Sequence, residues 1–233
     1  KSGFLAPSFF QTHFFGFGTD IPYYYPINDY HDITIIPKFS QKKNPALFLE
    51  HRKNFSNGEV RTEFSGTIEN QEVNELKENK KRGHIKTVGS FDLSSNSYLD
   101  FNFHRTTDRN YLNTYKYNYK DTLESNIKIE SLRSNNFYSF QSYLFQDLRQ
   151  QFDRKETPKV LPRILIDLNS DSKNNSFSYN TNIEFSNIIR TNGNETKKLF
   201  FQQKFEFPKT FDDGTFFKPG VHLNGGVYNI EKF

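Results

Sequence analysis

The chain has 233 residues and a formal charge of +4, with 31 basic side chains interspersed among 27 acidic ones, and it contains no cysteine. Disulfides and thiolate-bound metals within it are therefore excluded, and the mixed charge leaves no one-signed stripe of the kind that binds nucleic acid. Only 34% of residues are hydrophobic while 17% are aromatic, with 27 Phe and 13 Tyr, which argues against disorder on one side and against an ordinary aliphatic core on the other.

No run approaches the roughly 18 apolar residues of a membrane-spanning helix, so passage through a membrane would have to use strands. The first residue is Lys1 and the chain has no Met, which leads us to expect a processed or truncated start. Along the chain the dominant signal is period two. Residues 4–15 read as a first strand that is apolar on both faces, with Phe4, Phe10 and Phe14 on one side and Leu5, Phe9 and Phe15 on the other. Such a strand is expected to meet acyl chains, or else to pack on an adjoining domain. Pro7 and Pro22 each lack an N–H and remove a possible ladder bond, which predicts a weakly paired first strand. The plainer alternative is that Pro7 starts a strand and Pro22 a turn. Tyr23, Tyr24 and Tyr25 fit an interfacial aromatic girdle.

Further on, Phe64, Gly66 and Ile68 repeat the alternation, and Lys77–Arg82, which includes Glu78, is expected to be a solvated loop. Leu99, Phe101 and Phe103 alternate with Asp100, Asn102 and His104. Ile127 and Ile129, the Thr181, Ile183 and Phe185 series, the Phe201, Gln203, Phe205 and Phe207 series, and the Val221, Leu223, Gly225 and Val227 series continue it. Polar breakers separate these runs at Asn54–Gly58, Ser94–Ser97, Ser134–Asn136, Asn169–Asn175, Asn192–Asn194 and Asp212–Gly214.

The expected fold class is all-β, an antiparallel up-and-down transmembrane β-barrel, with roughly ten to twelve strands of a larger barrel in this chain. Lys128, Glu130, Glu184, Lys204 and Glu206 would line a wet lumen, with Phe and Ile toward lipid. A soluble β-sandwich gives similar alternation and remains an alternative.

Gly3-Phe4-Leu5-Ala6-Pro7, then Ile21-Pro22-Tyr23-Tyr24-Tyr25, then Asp32-Ile33-Thr34-Ile35-Ile36-Pro37 resemble, in order and spacing, the opening of the barrel domain in the LptD (OstA/Imp) family of LPS-assembly outer-membrane proteins. Asp108-Arg109-Asn110-Tyr111-Leu112, Leu123-Glu124-Ser125, Phe145-Gln146-Asp147-Leu148 and Leu161-Pro162-Arg163-Ile164 resemble later parts of the same family. The resemblance is strongest to Pro37, moderate to Ile164 and weak beyond. Tyr25 stands where the family often has Trp, and Pro26 and Asn28-Asp29 depart from its usual wording. The resemblance implies a Gram-negative outer-membrane protein that transports lipopolysaccharide (LPS) and inserts it into the outer leaflet. It implies a lateral gate at the first strand, with Pro7 and Pro22 as gate prolines and Phe4, Phe9, Phe10 and Phe14 as candidates for lipid or LPS contact. Implied partners are outer-membrane lipid, an LptE-type plug lipoprotein and the periplasmic Lpt bridge, the last through a periplasmic domain that precedes the barrel. Residues 1–233 would then be the N-terminal portion of the barrel domain, with closing strands beyond.

Other chemistry finds little support. His13, His31, His51, His84, His104 and His222 lack metal-ligand spacing, no G-x-S-x-G motif occurs, and Asp212-Asp213-Gly214 reads as a hairpin turn. The glycines at 16 and 18 and at 225 and 226 read as turn or strand residues. No cofactor, metal or catalytic residue is expected. A porin or gated transporter, a barrel lipase and a soluble binding module are the competing readings.

Overall fold

The computed structural model describes residues 1–73, 76–117, 119–151, 153–170 and 177–231. The chain opens with two short strands, β1 (Gly3–Phe4) and β2 (Ser8–Thr12), and returns along β3 (Gly16–Asp20) and β4 (Tyr23–Asn28). Longer strands follow: β5 (His31–Ser40), β6 (Ala46–Phe55), β7 (Gly58–Val73), β8 (Leu76–Ser94) and β9 (Ser97–Thr106). A five-residue helix, α1 (Tyr111–Tyr115), precedes β10 (Thr122–Arg133) and β11 (Asn136–Asp147). A 3-10 turn at Arg154–Glu156 leads to β12 (Lys159–Asn169), β13 (Ser178–Ile189) and β14 (Glu195–Glu206). The small hairpin of β15 (Lys209–Thr210) and β16 (Phe216–Phe217) turns at 211–215, where the Thr215 N–H donates to Asp213 Oδ1 at 2.9 Å. The last strand is β17 (Gly220–Glu231). The expected breakers fall in turns, although residues 171–176, which hold most of the one beginning at Asn169, lie outside the described residues.

Two compact units emerge. The first comprises Lys1–Phe91, Phe101–Ser125 and Gln146–Phe152; the second comprises Asp92–Asp100, Asn126–Phe145 and Asp153–Phe233. Within the first, strands run β1-β4-β5-β6-β7-β8, with β2 paired to β3 and β3 to β5; within the second they run β11-β12-β13-β14-β17. Each is an antiparallel up-and-down sheet, because every chain reversal brings the next strand back beside the last.

Register sorts the residues onto two faces. In the first unit Leu49, Phe64 and Ile85 are aligned on one face, while Phe48, Ser65 and His84 are aligned on the other. In the second, Phe185 sits beside Leu199 and Ile183 beside Phe201, while Glu184 and Asn182 point to the opposite face. Burial is inverted relative to a water-soluble sheet. Phe64 and Ile68 are 47% and 48% exposed, whereas Ser65 and Glu69, which alternate with them, are 0% and 8% exposed. In the second unit the polar face carries its own network, in which Asn180 Nδ2 donates to Asp167 Oδ1 at 2.7 Å and to Asn169 Oδ1 at 2.8 Å.

One expectation is corrected. The basic stretch Lys77–Arg82 is no loop; it lies in β8 and pairs residue by residue with β7, Ile68 opposite Lys81 and Thr67 opposite Arg82. A hydrophilic composition does not prevent extended pairing, since the ladder satisfies the backbone and alternate residues still reach different faces.

Candidate functional site

The first hairpin carries the residues singled out from sequence. β1 pairs with β4 through Gly3 opposite Tyr24 and Phe4 opposite Tyr23, and β2 pairs with β3 through Ser8 opposite Asp20. Residues 5–7 on one leg therefore face residues 21–22 on the other, and both legs leave the ladder at the same level. The Leu5 N–H donates to the Pro22 carbonyl at 2.9 Å, and proline cannot return the bond. On the far side, the Ile21 N–H donates to the Pro37 carbonyl at 3.2 Å, and again the reciprocal donor is missing. Pro7 itself lies between β1 and β2. Three prolines thus weaken one transverse line across the first three legs of the sheet.

The same break changes which residues share a face. An uninterrupted strand would put Phe4 and Phe9 on opposite sides. The extra residue at 5–7 shifts the alternation, so Phe4 stands beside Tyr23, with ring centroids 5.0 Å apart, and Phe9 stacks near Phe17 at 6.2 Å on the same, apolar face. Phe4 is 76% exposed and Phe9 67%. Phe10 belongs to the other face. A Cβ at Gly18 would lie 2.4 Å from the Phe10 Cζ, so glycine there lets the ring lie across β3. Phe10 meets Phe15 at 5.8 Å, and Lys38 Nζ sits 4.0 Å from its centroid. Phe14 is in the turn, exposed, with Lys43 Nζ 4.3 Å from its ring. Tyr23 and Tyr25 lie on the apolar face and Tyr24 on the polar one.

Sequence reasoning missed a second constellation, on the polar face of the first unit. Here the segment 107–121 folds back onto the strands. Arg82 of β8 grips Asp108 through two bonds of 2.8 Å, from Nε and Nη2, while its Nη1 reaches both Glu69 oxygens at 2.8 and 2.9 Å. Fork-to-fork geometry of this kind is the strongest arrangement open to a guanidinium. Tyr115 donates to Glu69 Oε1 at 3.1 Å, and Tyr111 shares a 2.8 Å bond with Ser65, whose hydroxyl also meets His84 Nδ1. Tyr111, Leu112, Leu123 and Leu148 are almost fully buried, and Phe15 joins them through Tyr115 at 5.2 Å.

Local chemistry fixes this segment. α1 stops at Lys116, whose left-handed φ of 61° turns the chain so that the Tyr117 N–H bonds the Leu112 carbonyl at 2.9 Å. Two side chains imitate missing strand partners: Gln146 exchanges bonds of 3.0 and 2.8 Å with the Thr106 backbone, and Ser125 bonds both the His104 N–H and its carbonyl. Burial opposes ionisation of Asp108, but the hydrogen bonds and charge of Arg82 outweigh it and hold the carboxyl below its usual range. Burial pushes the Tyr111 and Tyr115 hydroxyls up to about 12, so both stay protonated. The arrangement satisfies one cation with two carboxylates and closes around aromatic rings. Its chemistry is that of a clamp.

The motifs near 108, 123 and 146 all converge here: Asp108, Tyr111 and Leu112, Leu123 and Ser125, Gln146 and Leu148 are its walls. Arg82, Glu69 and His84 left no signal, being polar residues in polar stretches. Of the candidates in the first hairpin, Phe10 packs against this cluster, and Phe14 touches its member Phe15 at 4.8 Å.

The chain is similar to the LPS-assembly protein LptD of Methylococcus capsulatus, with 24% identity over 99% of this chain, and to the LPS-assembly protein LptD of Idiomarina loihiensis, with 26% identity over 89%. It spans 22% and 28% of the length of those curated relatives. A family model described as LPS transport system D matches residues 80–233, a span that takes in α1, the clamp segment and every strand from β9 onward. The N-terminal motifs through Pro37 lie before that span, within the stretch aligned to the Methylococcus protein. With well over half of its residues matched, this chain belongs to the LPS transport system D family.

Proposed function

We propose that the chain forms part of the wall of an outer-membrane β-barrel that delivers LPS to the outer leaflet, with lateral opening at the first hairpin. The observation that carries the membrane reading is the inverted burial: rings such as Phe64 and Phe103 are exposed while Ser65, His84 and His104 are covered. In water such a surface would aggregate, and in lipid it is the low-energy arrangement. This counts against a soluble sandwich module. Family membership supports LPS as the substrate and transport rather than catalysis as the role, and neither supports a simple porin.

The gate reading rests on the proline line. A ladder short of reciprocal bonds at Pro22 and Pro37 and interrupted at Pro7 costs less to part than a continuous one. Among the described residues β17 pairs only with β14, and β1 only with β4. In lipid, each unpaired backbone group costs several kcal/mol, so both edges would be met by other strands of the whole protein, with the seam at β1 and β2. A plug lipoprotein of the LptE type would occupy the polar side, and the periplasmic Lpt bridge would feed it. Phe4 and Phe9, exposed on the apolar face, are the residues placed to meet acyl chains leaving the seam.

The test is a double substitution, Pro7→Ala with Pro22→Ala, in the protein expressed as the cell's sole copy. Restored N–H donors should tighten the hairpin, and surface LPS should fall several-fold while barrel assembly is unchanged. Undiminished surface LPS would overturn the gate.

A further inference from the structure

On the apolar face of the first unit the wall is dented. Gly66 of β7 and Gly83 of β8 are directly opposite each other, so at that level these two strands present no side chains, while Leu47 of β6 stands beside Gly66. Above and below stand Phe64, Ile68 and Ile85, and Phe39 and Leu47 close one flank. The result is an open groove of about 1130 Å³, as large as the sites of roughly 300–1,000 Å³ that hold drug-sized ligands. Its lining is mainly apolar; Asn44, Asn79 and Thr107 are polar members, and Arg82 borders it while paired with Glu69 and Asp108. Lys81, opposite Ile68, and Arg105 of β9 both line it, and neither forms an ion pair among the described residues. Among the described residues Arg105 makes a 3.3 Å bond to the His104 carbonyl and has the Phe103 ring 5.9 Å away.

The cations have a definite position along the strands. The groove lies where β6 has just begun at Ala46 and β9 is about to end at Thr106, next to the connections 41–45 and 107–121. At the opposite end of these strands the chain turns in two residues, 29–30 and 56–57. Barrels of this class keep short turns on the periplasmic side and long connections outside. By that rule Lys81 and Arg105 would stand at headgroup depth in the outer leaflet, with the apolar dent beneath them.

We propose that this groove is a lipid site for a phosphorylated glycolipid of the lipid A type, one acyl chain lying in the Gly66–Gly83 dent and its phosphate meeting Lys81 and Arg105. The proposal rests on the barrel reading above, and it adds a site on the wall away from the first hairpin. Charge complementarity selects the ligand: two cations that form no ion pair among the described residues call for an anionic headgroup, and the apolar dent calls for a chain. The groove would retain delivered glycolipid beside the barrel and seal the wall.

The experiment uses the whole protein, purified from membranes and folded as judged by heat-dependent gel mobility, with retained lipid read by native mass spectrometry. The probes are bisphosphorylated lipid A, its dephosphorylated form, and phosphatidylglycerol. Lys81→Gln with Arg105→Gln should lower lipid A retention about tenfold, the scale of losing two charge-assisted contacts, and dephosphorylated lipid A should bind the unaltered protein as weakly. Gly66→Leu should lower retention by filling the dent. A Cβ at Gly66 meets nothing nearer than 3.7 Å, so the strand itself is undisturbed. Retention unchanged in both variants, or phosphatidylglycerol held as tightly through the same two cations, would overturn the site. Failure here is separable from failure of the gate, because Pro7→Ala with Pro22→Ala should leave this retention intact and change surface LPS alone.

Discussion

Arg82 is the residue on which the clamp depends, since it neutralises Glu69 and Asp108 at once with little solvent to help. Arg82→Met would keep the bulk and strand two partly buried carboxylates, at a cost of about 3–5 kcal/mol. The 107–121 segment should become cleavable by protease at temperatures where the parent resists, and an unchanged digestion pattern would refute the clamp. Tyr111→Phe removes only the bond to Ser65, which keeps His84 as partner, so a loss of about 1 kcal/mol is expected. Acid should act through Asp108. Its carboxyl is held below the ordinary value of 3.8, so its contribution to stability is complete above that value and is lost as pH falls through the lower, folded one. Thermal unfolding followed from neutral to strongly acidic pH should show that loss in the parent, and Asp108→Asn should flatten it.

At the scale of elements, the pair Gly66 and Gly83 looks symmetric in sequence and is not so in structure. A Cβ on Gly83 would come within 2.4 Å of the Ser65 carbonyl oxygen, a backbone atom that cannot move without parting β7 from β8, whereas Gly66 has room. Gly83→Ala should reduce the yield of folded barrel markedly and Gly66→Ala should not; equal behaviour in a heat-mobility assay would contradict the pairing. Strands such as β9, β13 and β14 were legible because alternation at 99–103, 181–185 and 201–207 is a local signal. The sides of Phe4, Phe9 and Phe10 were not, because counting in twos fails once residues 5–7 oppose residues 21–22. The clamp was illegible for another reason. Arg82 meets partners 13 and 26 positions away in sequence, and no window of local pattern contains such a contact. The sequence motif around Asp108 marked one half of it, and the loop reading of 77–82 hid the other.

For the whole molecule, orientation decides what every face can do. If the two-residue turns at 29–30 and 56–57 are periplasmic, then the connection at 41–45 faces outward, the dent beneath Lys81 and Arg105 lies in the outer leaflet, and the clamp segment closes the polar side from the cell exterior. If the barrel were inserted the other way, the same cations would sit in the inner leaflet, where LPS is not the resident lipid, and the groove would lose its ligand. The chain contains no cysteine, so single thiols introduced into it report position without background from these residues. Lys42 and Ser56 are both exposed, one in the longer connection and the other in a tight turn. In intact cells a membrane-impermeant maleimide should label Lys42→Cys and spare Ser56→Cys, and breaching the outer membrane should make the second thiol equally reactive. Labelling of Ser56→Cys in intact cells would invert the molecule, and with it both the outer-leaflet site and the direction in which the proline line could release a lipid.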